Sequence, residues 1–161
     1  MASIKDRSTT IAPPTAVPGA SGPVVLATLA LRPDPTAVDM AISSCLEAGA
    51  PLIVVNAVQI PFYPTTMMVS GLSGMVLPHE DDRVEVRAVA DRIAEMGIPV
   101  EVVGLFSPRP VKSLVGFVAQ RNAALLVFGP LLEKVGKIRM RTATRRLRRD
   151  VGCLVWVAPD G

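Results

Sequence analysis

Five short apolar runs recur along the chain, separated by stretches whose apolar residues fall three and four apart. The runs are Val24–Leu31 (VVLATLAL), Pro51–Val58 (PLIVVNAV), Pro99–Phe106, Ala123–Phe128 and Gly152–Ala158, and each reads as a strand. The first two are almost unbroken, as in strands buried on both faces of a parallel sheet. The third alternates and is interrupted by Glu101, which suits an edge. Asp34 followed by Pro35 is a helix start, a capping carboxylate before a proline at the first helical position. Val38, Ala41, Ile42 and Cys45 then share one face, and Gly49 closes the helix. His79 to Asp82 opens a second helix, with Glu80, Asp81 and Asp82 against the positive end of its dipole. Its apolar stripe is Val86, Val89, Ala90, Ile93 and Met96. Ser107 or Arg109 opens a third helix with Val111, Leu114, Val115 and Val118 inward. A short fourth helix is expected over Thr142 to Asp150, with Thr142 and Thr144 at its cap. Strands alternating with helices in this way imply an α/β fold, a doubly wound parallel sheet with right-handed crossovers.

The 161 residues suffice for one domain with a sizeable core. Residues 1–22 read as a disordered tail rich in Ser, Thr, Pro, Ala and Gly, and residues 23–161 as the domain. Residues 59–78 carry no period. They contain Pro61, Pro64, Gly71, Gly74, Met67, Met68 and Met75, and are expected to pack as an apolar link against a second subunit. No run approaches the roughly 18 apolar residues of a membrane span, so no transmembrane segment is expected. The tail has no apolar stretch of signal-peptide type. Cys45 and Cys153 lie far apart and fit no metal pattern, and His79 is the single histidine. Reduced thiols, a cytoplasmic location and no metal site follow as expectations. Neither GxGxxG nor a Walker A motif is present, and no Ser/His/Asp set can be assembled, so no catalytic residue is assigned.

Charge is concentrated in one stretch. From Lys134 to Arg149, eight of sixteen residues are Lys or Arg and none is acidic. The remaining nine cations and fourteen acids leave the rest of the chain net negative. A basic loop at a strand-to-helix junction is a place for an anion or an acidic partner. Lys134, Lys137, Arg139 and Arg145 are the candidate anion-binding residues. Nucleic acid is a weaker alternative, since no aromatic residue interleaves with the cations to stack on bases.

The order of elements from about residue 23 to 158 resembles the universal stress protein family. VVLATLAL before a helix looks like the family's first strand and helix, and PLIVVNAV before a long link like its second strand and variable insertion. IPVEVVGLFSPRPVKSLVGFVAQRNAALLVFGP looks like the third strand, third helix and fourth strand. TATRRLRRDVGCLVWVAP looks like the closing helix and strand. The resemblance implies a Rossmann-like, flavodoxin-like sheet of five parallel strands in the order 3-2-1-4-5, in three layers, with ligands at the switch point. It also implies a homodimer pairing final strands, here Leu154, Val155, Trp156 and Val157. Nucleotide-binding members carry Gly-x2-Gly-x9-Gly-Ser/Thr after the fourth strand. Gly129 matches the first glycine, while Leu132 stands at the second. Arg141 falls at the third glycine, and Thr142 and Thr144 at hydroxyl positions, with the loop one residue short. Leu29 stands where binders place Asp after the first strand, and Ala124 where an acid often precedes the fourth strand's apolar run.

The expectation is therefore a non-enzymatic stress-response or regulatory protein with a degenerate nucleotide site and no cofactor. One alternative is an ATP- or AMP-binding member, with at most slow hydrolysis, that uses the basic loop at 134–149. Another is a module that docks an anion, a nucleic acid or an acidic protein.

Overall fold

The computed structural model describes residues 9–10, 22–60 and 80–159. In chain order the elements are β1 (Thr9–Thr10), β2 (Val24–Thr28), α1 (Pro35–Ala48), β3 (Leu52–Gln59), α2 (Glu80–Glu95), β4 (Val100–Ser107), α3 (Pro110–Gln120), β5 (Leu125–Phe128), α4 (Leu132–Val135), α5 (Lys137–Asp150) and β6 (Leu154–Val157). The sheet order is β1-β4-β3-β2-β5-β6. Its five long strands are all parallel, in register Val24↔Leu52, Val24↔Leu125, Leu52↔Val100 and Leu125↔Leu154. They stand in the expected 3-2-1-4-5 order. β1 adds two antiparallel residues beside Glu101 and Val102, so Thr9–Thr10 form a strand within the stretch expected to be a disordered tail. Residues 1–8 and 11–21 of that tail, the link from residue 61 and His79 lie outside the described residues.

Alternation within the strands builds two cores, one on each face. Val25, Ala27, Ile53, Val55, Leu126 and Phe128 pack under α3 and α5. Val24, Leu26, Leu52, Val54, Val100 and Val127 pack under α1 and α2. β2 is buried throughout, as its unbroken apolar run requires. α1 starts as expected: the Asp34 carboxylate accepts from the Thr36 amide at 2.9 Å, and Gly49 ends it at φ 63°. Its buried stripe is Ala37, Ala41 and Cys45, with Val38 and Ile42 half-buried at the margin. In α2, Val86, Ala90 and Ile93 are buried, but Met96 lies just past the last turn and is exposed.

The largest correction concerns the basic stretch. Its first part, expected as a loop as far as Arg141, is already helical. α4 is a single turn, Gly136 at φ 80° redirects the chain, and α5 runs from Lys137 without a break. Arg and Lys are good helix formers, and Met140, Ala143 and Leu147 give α5 a narrow buried stripe. Thr142 and Thr144 therefore lie inside a helix, not at its cap. The Thr142 hydroxyl donates to the Ile138 carbonyl one turn back, at 3.0 Å.

Candidate functional site

All the crossovers run the same way, so the helix N-termini gather at the carboxyl ends of the strands. The switch point lies between β2 and β5, where Gly129 follows β5 and Leu29 follows β2. Both are buried. The Gly129 amide donates to the Ala27 carbonyl at 3.1 Å, and its own carbonyl accepts from the Asp34 amide at 2.8 Å. A Cβ at Gly129 would stand 2.3 Å from the Ala37 Cβ and 3.0 Å from that of Ala158. The glycine is thus needed for α1 to approach the sheet, and its amide is already used. The turn after β2 closes over the same spot. Ala30 has φ 54°, the Thr28 hydroxyl donates to the Leu31 carbonyl at 2.6 Å, and Pro33 bridges to Pro130. The Gly129 amide and carbonyl, backbone groups that could approach a phosphate at such a junction, are thus both bonded within the protein.

The cations lie on α5 instead, on two flanks of one helix. On the inner flank Arg139 and Arg146 face Arg109, which precedes α3, across a cleft of about 350 Å³. Leu29, Val111 and Ala143 supply apolar lining, Gln59 and Thr142 are the neutral polar groups, and no carboxylate among the described residues lines the cleft. Arg139 donates to the Gln59 side-chain oxygen at 2.9 Å. On the outer flank Lys137, Arg141, Thr144, Arg145, Arg148 and Arg149 border an open groove of about 660 Å³ that ends at Val157 and Ala158. Arg149 is held by Asp150 at 2.6 Å, which keeps the Asp150 carboxyl below its ordinary range. A third groove of about 500 Å³ separates α1 from α2, with charges of both signs on its rim.

The sequence-derived residues are therefore divided. Gly129 is sealed beneath α1. Thr142 and Arg139 belong to the inner cleft, and Arg141, Thr144, Lys137 and Arg145 to the outer groove. Lys134 is exposed on α4, apart from both. Gln59, Arg109 and Arg146 are cleft residues that the sequence did not single out. Only the placement of α3 beside α5 makes them neighbours, and no local pattern carries that information. Leu154, Val155, Trp156 and Val157 form β6, an edge strand, with Leu154 75% exposed and Val157 buried.

Neither thiol is poised for chemistry. Burial pushes Cys45 up to about 12, and Cys153, half-buried before β6, is also raised by burial. No group of three His, Cys, Asp or Glu residues that could hold a metal occurs among the described residues. No helix there is long and apolar enough to cross a membrane. Among the described residues, the side-chain oxygen of Asn56 in β3 is buried without a hydrogen-bond partner.

No family model matches the chain. No curated protein matches it in sequence. Solved structures do match its fold. The universal stress protein of Lactobacillus plantarum superposes with a TM-score of 0.62 at 12% identity, over 86% of this chain and 99% of its own. That of Archaeoglobus fulgidus, solved in complex with dAMP, gives 0.56 at 18% identity, over 86% and 98%. A universal stress protein in complex with cAMP gives 0.57 at 20% identity, over 89% and 100%. Near-complete coverage of each of these chains, with the same parallel strand order, gives this chain the universal stress protein fold.

Proposed function

We propose that this chain is a non-enzymatic, homodimeric regulatory protein of the universal stress type, acting in the cytoplasm without a cofactor, its nucleotide site degenerate. The observation that carries this reading is the sealed junction after β5. The Gly129 amide is taken by Ala27, and the Gly129 carbonyl by Asp34. The buried Leu29 stands where an acid would meet a ribose. Nucleotides bound to proteins of this fold, dAMP and cAMP among them, make the contrast testable.

Thermal unfolding of the full chain with ATP, AMP or cAMP, with and without magnesium, is the direct test. A ligand present at 100 times its dissociation constant adds about 2.7 kcal/mol, several degrees for a domain of this size. No rise is expected at millimolar nucleotide. A rise of several degrees with ATP or AMP would return the chain to the nucleotide-binding members.

A second reading has one specific observation in its favour. Arg109, Arg139 and Arg146 converge from two elements on one cleft that no carboxylate among the described residues lines. An anion with an apolar body suits that lining, and planar guanidinium groups bind phosphate or carboxylate in a fork. Arg109→Gln with Arg146→Gln abolishing an anion-induced thermal shift would support it.

A further inference from the structure

We propose that the outer flank of α5 seats a linear phosphate polyanion, and that filling this seat allows two copies of the chain to join at β6. The proposal rests on the homodimer reading. Lys137, Arg141, Arg145 and Arg148 recur at intervals of four, four and three residues. At 1.5 Å per residue they form a row about 16 Å long on one side of the helix. The groove beside the row is floored by Met140, Val157 and Ala158, and no carboxylate or aromatic side chain lines it among the described residues. Stacking platforms are what single-stranded nucleic acids use, so a chain of phosphates without bases fits better.

The groove is also placed at the β6 edge of the sheet, which has no neighbour among the described strands, since Val157 is the last residue of β6. A partner strand pairing antiparallel with β6 about a two-fold axis extends the sheet without turning it over. Each copy's α5 then lies on the same face, with the two outer flanks toward each other. Two rows of like charge so placed oppose association, and a polyanion between them reverses the sign of the interaction. The edge supplies the apolar contact, and the groove makes that contact conditional on an anion.

The test is sedimentation of the full chain with and without short-chain inorganic polyphosphate, at low and high salt, alongside binding of labelled polyphosphate. Polyphosphate should tighten the dimer at least tenfold at low salt, with one chain bound per two protomers, and high salt should abolish the effect. The double variant Arg141→Gln, Arg145→Gln should bind polyphosphate at least tenfold more weakly, yet dimerise more readily without it. The variant Arg87→Gln, on the exposed side of α2 and outside both clefts, should behave as the parent. A dimer whose strength ignores polyphosphate and salt overturns this inference and leaves the dimer reading standing. A monomer that binds polyphosphate one to one, or a monomer that binds none, overturns both. Single-stranded DNA binding more tightly than polyphosphate of equal charge overturns the choice of ligand.

Discussion

The two edges of the sheet have been finished in opposite ways. At the β4 edge, Thr9–Thr10 occupy the hydrogen-bonding positions beside Glu101 and Val102. Glu101 itself carries a charge on the strand, held by the Arg121 guanidinium through bonds of 2.6 and 3.1 Å. A short covering strand and a charge are both devices that discourage further pairing. The β6 edge has neither. Its four residues, Leu154 to Val157, are all apolar, and none of the described strands lies beyond it. Leu154 is among the most exposed large apolar residues of the chain. One edge is partly covered and charged, and the other is apolar and uncovered among the described strands. That asymmetry is the physical ground for placing a second copy at β6.

Charge on the open edge should produce the largest effect. Trp156→Glu puts a carboxylate into the proposed strand pair, and burying an unpaired charge there costs about 3 kcal/mol or more. That corresponds to over a hundredfold in the dimer dissociation constant, at about 1.4 kcal/mol per factor of ten. Trp156 also packs in part against the α1/α2 core, so its loss weakens the protomer as well. Leu154→Lys avoids this, because the side chain is three-quarters exposed in the single copy. Both variants should sediment as monomer with polyphosphate present. A Leu154→Lys protein that remains dimeric would move the interface elsewhere.

The same contrast shows which parts of the molecule the residues alone could reveal. β2 and β3 were legible because an unbroken apolar strand has one stable place, the middle of a sheet covered on both sides. β4 was legible as the outermost of the parallel strands because Glu101 breaks its pattern, but the pairing of Thr9–Thr10 beyond it was not. α5 was legible only in its second part, Thr142 to Asp150. Its inward stripe is only Met140, Ala143 and Leu147, and the dense cations from Lys137 to Arg141 read as a basic loop. Gly129 was recognised, but its reason was hidden, since Ala37 and Ala158 meet it from far along the chain in both directions. Arg109 and Arg146 become one site only through the packing of α3 beside α5. Local signals carry periodicity and caps, and the clefts come from contacts between elements distant in sequence.

A smaller effect should be readable at the two thiols, one of which reports on the open edge. Cys45 is buried under α1, and burial pushes its pKa to about 12. It holds its proton in the folded state, while an unfolded thiol ionises near 8.5. Its contribution to stability is therefore complete below about pH 8.5 and is lost as pH rises toward 12. Cys45→Ala should flatten that alkaline decline. Cys153 is raised too but is half-buried, next to Leu154. With iodoacetamide near pH 8, Cys153 should react at least about tenfold faster than Cys45. Its rate should fall several-fold as protein concentration increases with polyphosphate present, and Leu154→Lys should remove that dependence. A rate independent of concentration in the parent protein would place Cys153 outside any interface.

The smallest effect belongs to the closed edge. The Glu101–Arg121 pair is bidentate but partly exposed, its side chains 22% and 38% accessible, so solvent screens it. Its coupling should be under about 1 kcal/mol and should shrink with salt. Arg121 also sits over the Phe117 ring, 5.2 Å from its centroid. Arg121→Ala should therefore destabilise more than Glu101→Gln, because it removes the pair and the ring contact together. A double-mutant cycle in urea separates the two terms. If the edge is closed chiefly by the backbone pairing of Thr9–Thr10, Glu101→Gln leaves the protein no more prone to associate. If the charge is the main barrier, the same substitution exposes a second sticky edge, and assemblies larger than a dimer appear at low salt. The size of the coupling and the state of association together identify which device keeps β4 from behaving like β6.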